Sequence, residues 1–144
     1  MKKLFFLFIS IFTLGSFAIN NKRNNTQNKG LENIITSKLE SFIKEKKFQP
    51  DEALLYPGIN SKTLKAKLTE LINESAKDFI QVASNNSSDE NYQAKIKTGL
   101  ERFNAYYSEL SSEDLDRIYH YFEQLIDIVG LKNSGSHLKK WRYN

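Results

Sequence analysis

Residues 115–130 have the sequence LDRIYHYFEQLIDIVG, which predicts an amphipathic α-helix. Apolar side chains recur here at steps of three and four residues, and this spacing places them on one face of a helix. They are Leu115, Ile118, Tyr119, Phe122, Leu125, Ile126 and Val129. It is the richest apolar stripe in the protein, so we expect this helix to be the spine of the hydrophobic core.

The opposite face of the same helix carries the most notable cluster of titratable groups. Its members, at spacings i, i+4, i+7 and i+11, are Asp116, His120, Glu123 and Asp127. A histidine and a carboxylate one turn apart can bind a metal or exchange a proton. The commonest role of such a face is contact with solvent, here with a weak Asp116–His120 pair. A partner-binding face, and a metal or catalytic site completed by a second helix, are the alternatives.

The N-terminal residues differ in composition from the rest of the chain. A basic start, an apolar run over residues 4–14 and a small-residue end at Ala18 predict a secretory signal peptide over residues 1–18. The run is short for a membrane span, which needs about 20 apolar residues, and an uncleaved N-terminal anchor is the alternative. Residues 19–30 are very polar, which predicts a flexible linker. We therefore expect an exported protein, periplasmic or secreted, that meets the membrane only transiently through its signal peptide.

The composition excludes several classes of function. The chain has 144 residues, 26% charged and 40% hydrophobic, which suits one globular domain. Removal of residues 1–18 takes two lysines and no acid from the 21 basic and 17 acidic residues. The remaining net charge of +2 is too even to predict a nucleic-acid partner. Because the sequence contains no cysteine, disulfides, thiol catalysis and thiolate metal sites are excluded.

Helical patterns also precede and follow the spine. Helices are predicted over about residues 31–47, 62–83, 90–110, 113–129 and 136–141, and no segment shows the alternation of a strand. The expected fold is all-α: a compact bundle of four main helices plus a short C-terminal helix, residues 31–144, preceded by the signal peptide and the linker.

Local signals predict where these helices begin and end. Ser61 is an expected N-cap, and Ser111 and Ser112 both offer caps for the spine helix. Ser87 is expected to form a capping box with Glu90, and Gly130 is expected to end the spine helix. Three lysines, Lys44, Lys46 and Lys47, are expected in the last turn of the first helix, where cations suit the macrodipole. Gly99 lies inside a predicted helix, where glycine costs about 1 kcal/mol relative to alanine. That cost predicts that another helix approaches closely there.

The connection after the first helix, residues 48–60, contains both prolines of the chain. Pro57 and Gly58 form a strong turn signal. Leu54, Leu55 and Tyr56 are too apolar for an idle loop, so we expect them to cover one end of the core. The alternative is a ligand cleft, with Tyr56, Pro57 and Gly58 as its speculative contact residues.

Familiar catalytic motifs are absent from the sequence. It contains no Gly-x-Ser-x-Gly, phosphate loop, His-Glu-x-x-His or EF-hand loop. His120 and His137 are the two histidines, and the second lies in a Gly- and Ser-containing tail. We therefore assign no catalytic, cofactor-binding or metal-ligating residue, expect no cofactor, and lean towards a protein that is not an enzyme.

Several stretches resemble a bacterial family of unknown function. They are LLYPG at residues 54–58, LTELINE at 68–74 with Asp78-Phe79, GLERF at 99–103, EDLDRI at 113–118 and YFEQLIDIVGL at 121–131. In these stretches the chain is similar to the family called domain of unknown function 4844, over about residues 31–143. The resemblance implies a small helical domain and brings no established activity or catalytic residues.

These observations together predict binding rather than catalysis. We expect a protein partner, and one concrete version is inhibition or neutralisation of a secreted enzyme or toxin. The polar face of the spine helix is the first candidate surface. The alternative is a metal- or small-ligand-binding protein with its site between that helix and the Tyr56-Pro57-Gly58 loop, and a purely structural envelope protein is a third class.

Overall fold

The computed structural model describes residues 15–143, with side chains from residue 26 onwards. Its helices are α1 (Gly15–Lys44), a first 3-10 helix (Glu52–Leu54), α2 (Lys62–Asn85), α3 (Asp89–Glu101), a second 3-10 helix (Arg102–Glu109), α4 (Ser112–Val129) and α5 (His137–Tyr143). Residues 15–143 contain no strand, only one isolated antiparallel bridge between Asp51 and Tyr56. The predicted all-α fold, with four main helices and a short C-terminal one, is confirmed.

The chain divides into two units, Met1–Leu31 and Glu32–Asn144. Most of the predicted signal peptide lies outside the described residues, so the signal peptide and its cleavage stay predictions. The predicted linker, residues 19–30, has a helical backbone, because α1 begins at Gly15 instead of near residue 31. Residues 26–30 are exposed, so they contribute no buried apolar surface to the core. None of the helices within residues 15–143 is both long enough and apolar enough to cross a membrane.

The apolar face of α4 lies at the centre of the Glu32–Asn144 unit, as its spacing predicts. Its side chains at positions 115, 118, 122, 125 and 126 are buried, and those at 119 and 129 are half-buried. Tyr121, which lies off the predicted stripe, is buried as well. The other helices contribute fully buried side chains to the same core: Leu39, Leu68, Ile72, Phe79, Ile96 and Leu100.

Most of the predicted helix ends are confirmed by their hydrogen bonds. The hydroxyl of Ser61 accepts a hydrogen bond from the amide of Leu64 at 3.3 Å, and Ser111 forms a capping box with Asp114. Gly130 has a φ of +70°, and the following residue donates to the carbonyl of Ile126 at 3.1 Å. This is the Schellman stop expected for the end of α4.

The boundaries of the third predicted helix are wrong at both ends. Its N-cap is Ser88 rather than Ser87, since the Ser88 hydroxyl accepts from the amide of Asn91 at 3.3 Å. Its α-helical part ends at Glu101 and continues as the second 3-10 helix. Adjacent serines offer equivalent side-chain caps, so the local sequence does not distinguish helix starts that differ by one residue.

Gly99 lies where α3 meets both α2 and α4. A Cβ atom at this position would lie 2.8 Å from the Ser75 hydroxyl and 2.9 Å from the ring of Phe122. Ser75 and Phe122 are both fully buried, so the neighbours have little room to retreat. The close approach predicted from a glycine inside a helix is confirmed.

We expect the substitution Gly99→Val to lower the free energy of unfolding by about 2–3 kcal/mol, because it overpacks this contact. Chemical denaturation followed by circular dichroism measures the change. Gly30→Val is the matched control, since a Cβ at the helical Gly30 has nothing within 4 Å, and it should change stability by less than about 0.5 kcal/mol. Equal effects of the two substitutions would contradict the close packing at Gly99.

Candidate functional site

Residues 48–60 form most of the connection between α1 and α2, and we call them the tip loop. Its backbone closes on itself, because Asp51 and Tyr56 exchange two hydrogen bonds of 2.8 and 2.9 Å. Between them lies the first 3-10 helix, whose N-cap Asp51 accepts a side-chain hydrogen bond from the amide of Leu54 at 3.4 Å. The result is a tight turn with a defined tip.

Two leucines at this tip, Leu54 and Leu55, face solvent, and we call them the leucine tip. Their exposed fractions are 49% and 87%. The prediction that they cover the core is wrong for both leucines and right for Tyr56, which is buried. The backbone pair of Asp51 with Tyr56 turns the intervening residues away from the bundle. Leu55 also has a φ of +51°, a left-handed conformation that costs a non-glycine residue about 1–2 kcal/mol.

Polar contacts with α4 hold the base of the tip loop. The Tyr56 hydroxyl donates to the Asp114 carboxylate at 2.8 Å, and Asp51 forms an ion pair with Arg117 at 3.0 Å. The guanidinium of Arg117 also lies 5.5 Å from the centre of the Tyr56 ring, within the range of a cation–π contact. Burial, together with the hydrogen bond to Asp114, raises the pKa of Tyr56 well above its usual range. Tyr56 therefore stays a neutral donor at any ordinary pH.

The start of the tip loop is fixed by a buried lysine, Lys47. Its side chain has no exposed area, and its ammonium donates to the carbonyl oxygens of Phe42 and Glu45 at the end of α1. The ammonium also lies 3.9 Å from the centre of the Phe42 ring, and burial lowers the pKa of Lys47. The expectation of cations in the last helical turn holds for Lys44 and is wrong for Lys46 and Lys47, because α1 ends at Lys44. Lys46 is exposed beyond the helix, and Lys47 is buried. Lys47 instead satisfies helix-end carbonyls from inside the core.

A second anchor joins the tip loop to α4. The amide of Phe48 donates to the Tyr121 hydroxyl at 2.8 Å, and the two rings meet edge to face with centres 5.2 Å apart. Phe48 is fully buried. Lys47 and Phe48 thus fix one end of the tip loop in the core, while Asp51 and Tyr56 fix its middle on α4.

A groove of about 170 Å³ separates the leucine tip from α4, and we call it the tip groove. Its lining residues are Leu54, Tyr56, Glu113, Asp116 and Arg117. Of the predicted cleft residues, only Tyr56 lines it. Pro57 is exposed, and Gly58 turns the chain with a φ of +79° against Pro50. The volume is below the roughly 300 Å³ at which small-molecule pockets begin.

The structure divides the predicted polar face of α4 between two grooves. Asp116 lines the tip groove, while His120, Glu123 and Asp127 line a separate groove of about 390 Å³ beside α5. The expected Asp116–His120 pair is replaced by two others. Asp116 pairs with Arg142 of α5 at 2.5 Å, and the ring of His120 lies 3.4 Å from the Glu123 carboxylate. Residues 15–143 contain no group of three or more histidines and acids that could hold a metal ion.

Comparison with known proteins identifies the family. The family model described as domain of unknown function (DUF4844) matches residues 25–144. The chain belongs to the DUF4844 family. The resemblance seen in the sequence is thereby confirmed.

The fold of this DUF4844 protein has a relative among solved structures. The chain is similar to a crystal structure of a DUF3571 family protein from Acinetobacter baumannii AYE, with a TM-score of 0.73 and 26% sequence identity. The match covers 79% of this chain and 92% of that chain. None of the curated proteins that were compared matches this DUF4844 chain. The comparisons therefore support the family and the helical fold.

The sequence pattern predicts Tyr56 and Asp116 as candidate residues, but not the ion pairs that hold the tip groove of this DUF4844 domain. Asp51 and Arg117 form an ion pair although they are 66 positions apart. Asp51 lies in a loop and Arg117 in a helix, and the spacing of neither residue indicates this contact. Arg142 was not singled out either, although it binds Asp116. The sequence signal at this site is the pair of leucines next to Pro57-Gly58, and their apolar composition predicts a core position instead of a surface one.

Proposed function

We propose that this DUF4844 domain is an exported, non-catalytic module that binds another protein through its leucine tip. The supporting observation is Leu55, which is 87% exposed and is held in a left-handed backbone conformation. Exposed apolar side chains that are clustered and rigidly presented commonly mark interaction sites. A partner that covered Leu54 and Leu55 would recover free energy that the isolated domain loses by exposing them.

The rigidity of the tip loop supports a binding role over an accidental exposure. Two backbone hydrogen bonds close the turn, and the Asp51–Arg117 and Tyr56–Asp114 contacts attach it to α4. A loop already fixed in its bound shape loses little conformational entropy when it binds. The tip loop is therefore suited to enter a concave surface on a partner.

One concrete version of this function is inhibition or neutralisation of a secreted enzyme or toxin. A protruding, preorganised loop fits a concave active site better than it fits a flat surface, because only the leucine tip has to enter. This version also agrees with a predicted signal peptide and with a sequence that carries no familiar catalytic motif.

The polar face of α4 is a second candidate surface for the same function. His120, Glu123 and Asp127 line one side of the groove next to α5, and Glu123 and Asp127 are exposed. Exposed charges contribute to association rates and specificity more than to affinity. The leucine tip is therefore better supported than the polar face of α4 as the surface that provides the affinity.

A small-ligand or metal-binding function remains the alternative, with its site in the tip groove. Its support is that a groove does lie between α4 and the tip loop and that Tyr56 lines it. Against it stands the volume of the groove, about 170 Å³, which is below that of most small-molecule pockets. Elemental analysis of the purified protein tests the metal version, which requires a stoichiometric ion.

Site-specific photocrosslinking tests the leucine tip. A photoreactive amino acid replaces Leu55 in the full chain, produced in the bacterium that encodes it. We expect one discrete crosslinked protein, identified by mass spectrometry. The second substitution Leu54→Ser should reduce its yield at least about fivefold, because removing an anchoring side chain at a binding site costs more than about 1 kcal/mol. The same photoreactive residue at the exposed Thr98 of α3 should give no such product.

The variant Glu123→Lys/Asp127→Lys separates the two candidate surfaces. Combined with the photoreactive residue at position 55, it should leave the crosslinked product within about twofold, because both side chains lie in the groove beside α5. If this double variant removes the product and Leu54→Ser does not, the polar face of α4 is the binding surface. Absence of a discrete product at position 55 would contradict the leucine tip as a binding site.

A further inference from the structure

We propose that the tip groove receives a lysine or arginine side chain of the protein partner, an inference that rests on the proposed docking of the leucine tip. The groove is closed on one side by the tip loop and on the other by the first two turns of α4. Its walls have both apolar and charged residues, and this combination indicates which kind of side chain it accommodates.

The walls of the tip groove combine apolar surface with carboxylates. Leu54 is half-exposed, the mostly buried Tyr56 contributes only an edge to the lining, and Glu113 and Asp116 are exposed acids of α4. Lysine and arginine have the same division, an apolar stem with a charged end. A basic side chain can therefore pack its stem mainly on Leu54 and place its charge near the two carboxylates.

The size of the tip groove fits one side chain. Its volume of about 170 Å³ is smaller than that of sites for drug-sized ligands. A groove next to two exposed leucines can thus add one specific contact to an apolar anchor. Because the contact is charged, it would act mainly on the choice of partner and on the rate of association.

One carboxylate of the tip groove already binds a guanidinium within the chain. Asp116 accepts from the side-chain nitrogen of Arg142 at 2.5 Å, and its side chain is still 62% exposed. Glu113 is exposed in the first turn of α4. An incoming cation would therefore meet Glu113 and the open side of Asp116 without displacing Arg142.

The positive charge of Arg117 does not cancel the negative charge of the two carboxylates in the tip groove. Although Arg117 lines the groove, its guanidinium is paired with Asp51 at 3.0 Å, and its side chain is only 13% exposed. The accessible charges are those of Glu113 and Asp116. The groove should accordingly favour a cation, exclude an acidic side chain and bind an uncharged one weakly.

Nuclear magnetic resonance titration tests this inference with single-residue probes. Nα-acetyl-lysine methylamide and the corresponding arginine derivative are added to the nitrogen-15-labelled full chain. We expect saturable shifts at the amides of residues 54, 56, 113 and 116, with dissociation constants on the order of millimolar, as befits so small a ligand. The norleucine derivative, which has a similar stem without the charge, should bind at least about fivefold more weakly, and the glutamate derivative should cause no shift there.

Two charge-reversal variants supply a matched comparison. Glu113→Lys should abolish the lysine-induced shifts, whereas Glu90→Lys should retain them. Both residues are exposed acids in the first turn of a helix, so the two substitutions have the same effect on the helix macrodipole. Equal shifts with norleucine and lysine, or an unchanged titration in Glu113→Lys, would overturn the inference.

The outcome of this titration can be distinguished from the outcome of the crosslinking test of the proposed function. If lysine does not bind while crosslinking from position 55 persists, the leucine tip stands and the tip groove has no such role. If lysine binds while crosslinking is absent, the groove has the predicted chemistry, but the partner-docking role assigned to it is overturned.

Discussion

Replacement of Phe122 with alanine is expected to lower the free energy of unfolding by about 3–5 kcal/mol. Phe122 is fully buried on the spine helix α4. Its ring meets Phe103 edge to face, with centres 6.3 Å apart, and lies against Gly99 of α3. Removing the ring leaves a cavity that these closely packed neighbours cannot fill, so the lost burial and the cavity both contribute.

Urea denaturation of the wild type and of Phe122→Ala measures this loss. Phe122→Leu is the control, because it keeps a large apolar side chain and should cost less than about 2 kcal/mol. The slope of the unfolding free energy against urea should stay the same in both variants, since the surface exposed on unfolding hardly changes. A loss below about 1 kcal/mol for Phe122→Ala would contradict the central position of Phe122 in the core.

Replacement of Arg117 with alanine should both destabilise the domain and loosen the tip loop. The expected loss is about 2–4 kcal/mol, because the partly buried Asp51 loses its ion-pair partner. The substitution also removes the guanidinium that lies over Tyr56 and, at 4.9 Å from the ring centre, over Tyr121. The tip loop would keep its own backbone hydrogen bonds but lose a contact that holds it on α4.

Hydrogen exchange and denaturation together test the Arg117→Ala prediction. The amides of Asp51 and Tyr56 should exchange at least about tenfold faster than in the wild type, while the core amides of α4 follow only the change in global stability. Arg142→Ala is the matched control, because it also removes an arginine–aspartate pair. Its partner Asp116 is mostly exposed, so it should cost about 1 kcal/mol or less. Equal losses in the two variants would contradict the buried role of Arg117.

The sequence by itself determined the helical class and the position of the spine. The apolar residues of α4 recur with the period of a helix, and the buried positions 115, 118, 122, 125 and 126 follow that period. Ser61, Ser111 and Gly130 mark helix ends through contacts within a few residues of themselves. Such signals can be read from the chain because the interactions that produce them are local.

Gly99 shows what a local sequence signal can predict about packing and what it cannot. Its cost inside a helix predicted a close neighbour, and the structure has two, Ser75 of α2 and Phe122 of α4. The sequence did not say which helices these neighbours belong to. A glycine inside a helix indicates that another segment packs closely against it. Which segment that is depends on how the helices are arranged.

Only the tertiary structure decided the candidate site. Leu54 and Leu55 have the composition of core residues, yet the turn closed by Asp51 and Tyr56 directs them to solvent. Lys47 has the composition of a surface residue, yet it is buried, because the end of α1 offers it carbonyl acceptors.

The polar face of α4 depends on distant partners in the same way. Asp116 pairs with Arg142, 26 positions away, and not with His120. It lines the tip groove, whereas His120 lines the groove beside α5. Helical periodicity determines which side chains share a face, because it depends on the backbone alone. Which of them are paired, buried or free to bind a partner depends on contacts between segments far apart in the chain, and no local pattern encodes those contacts.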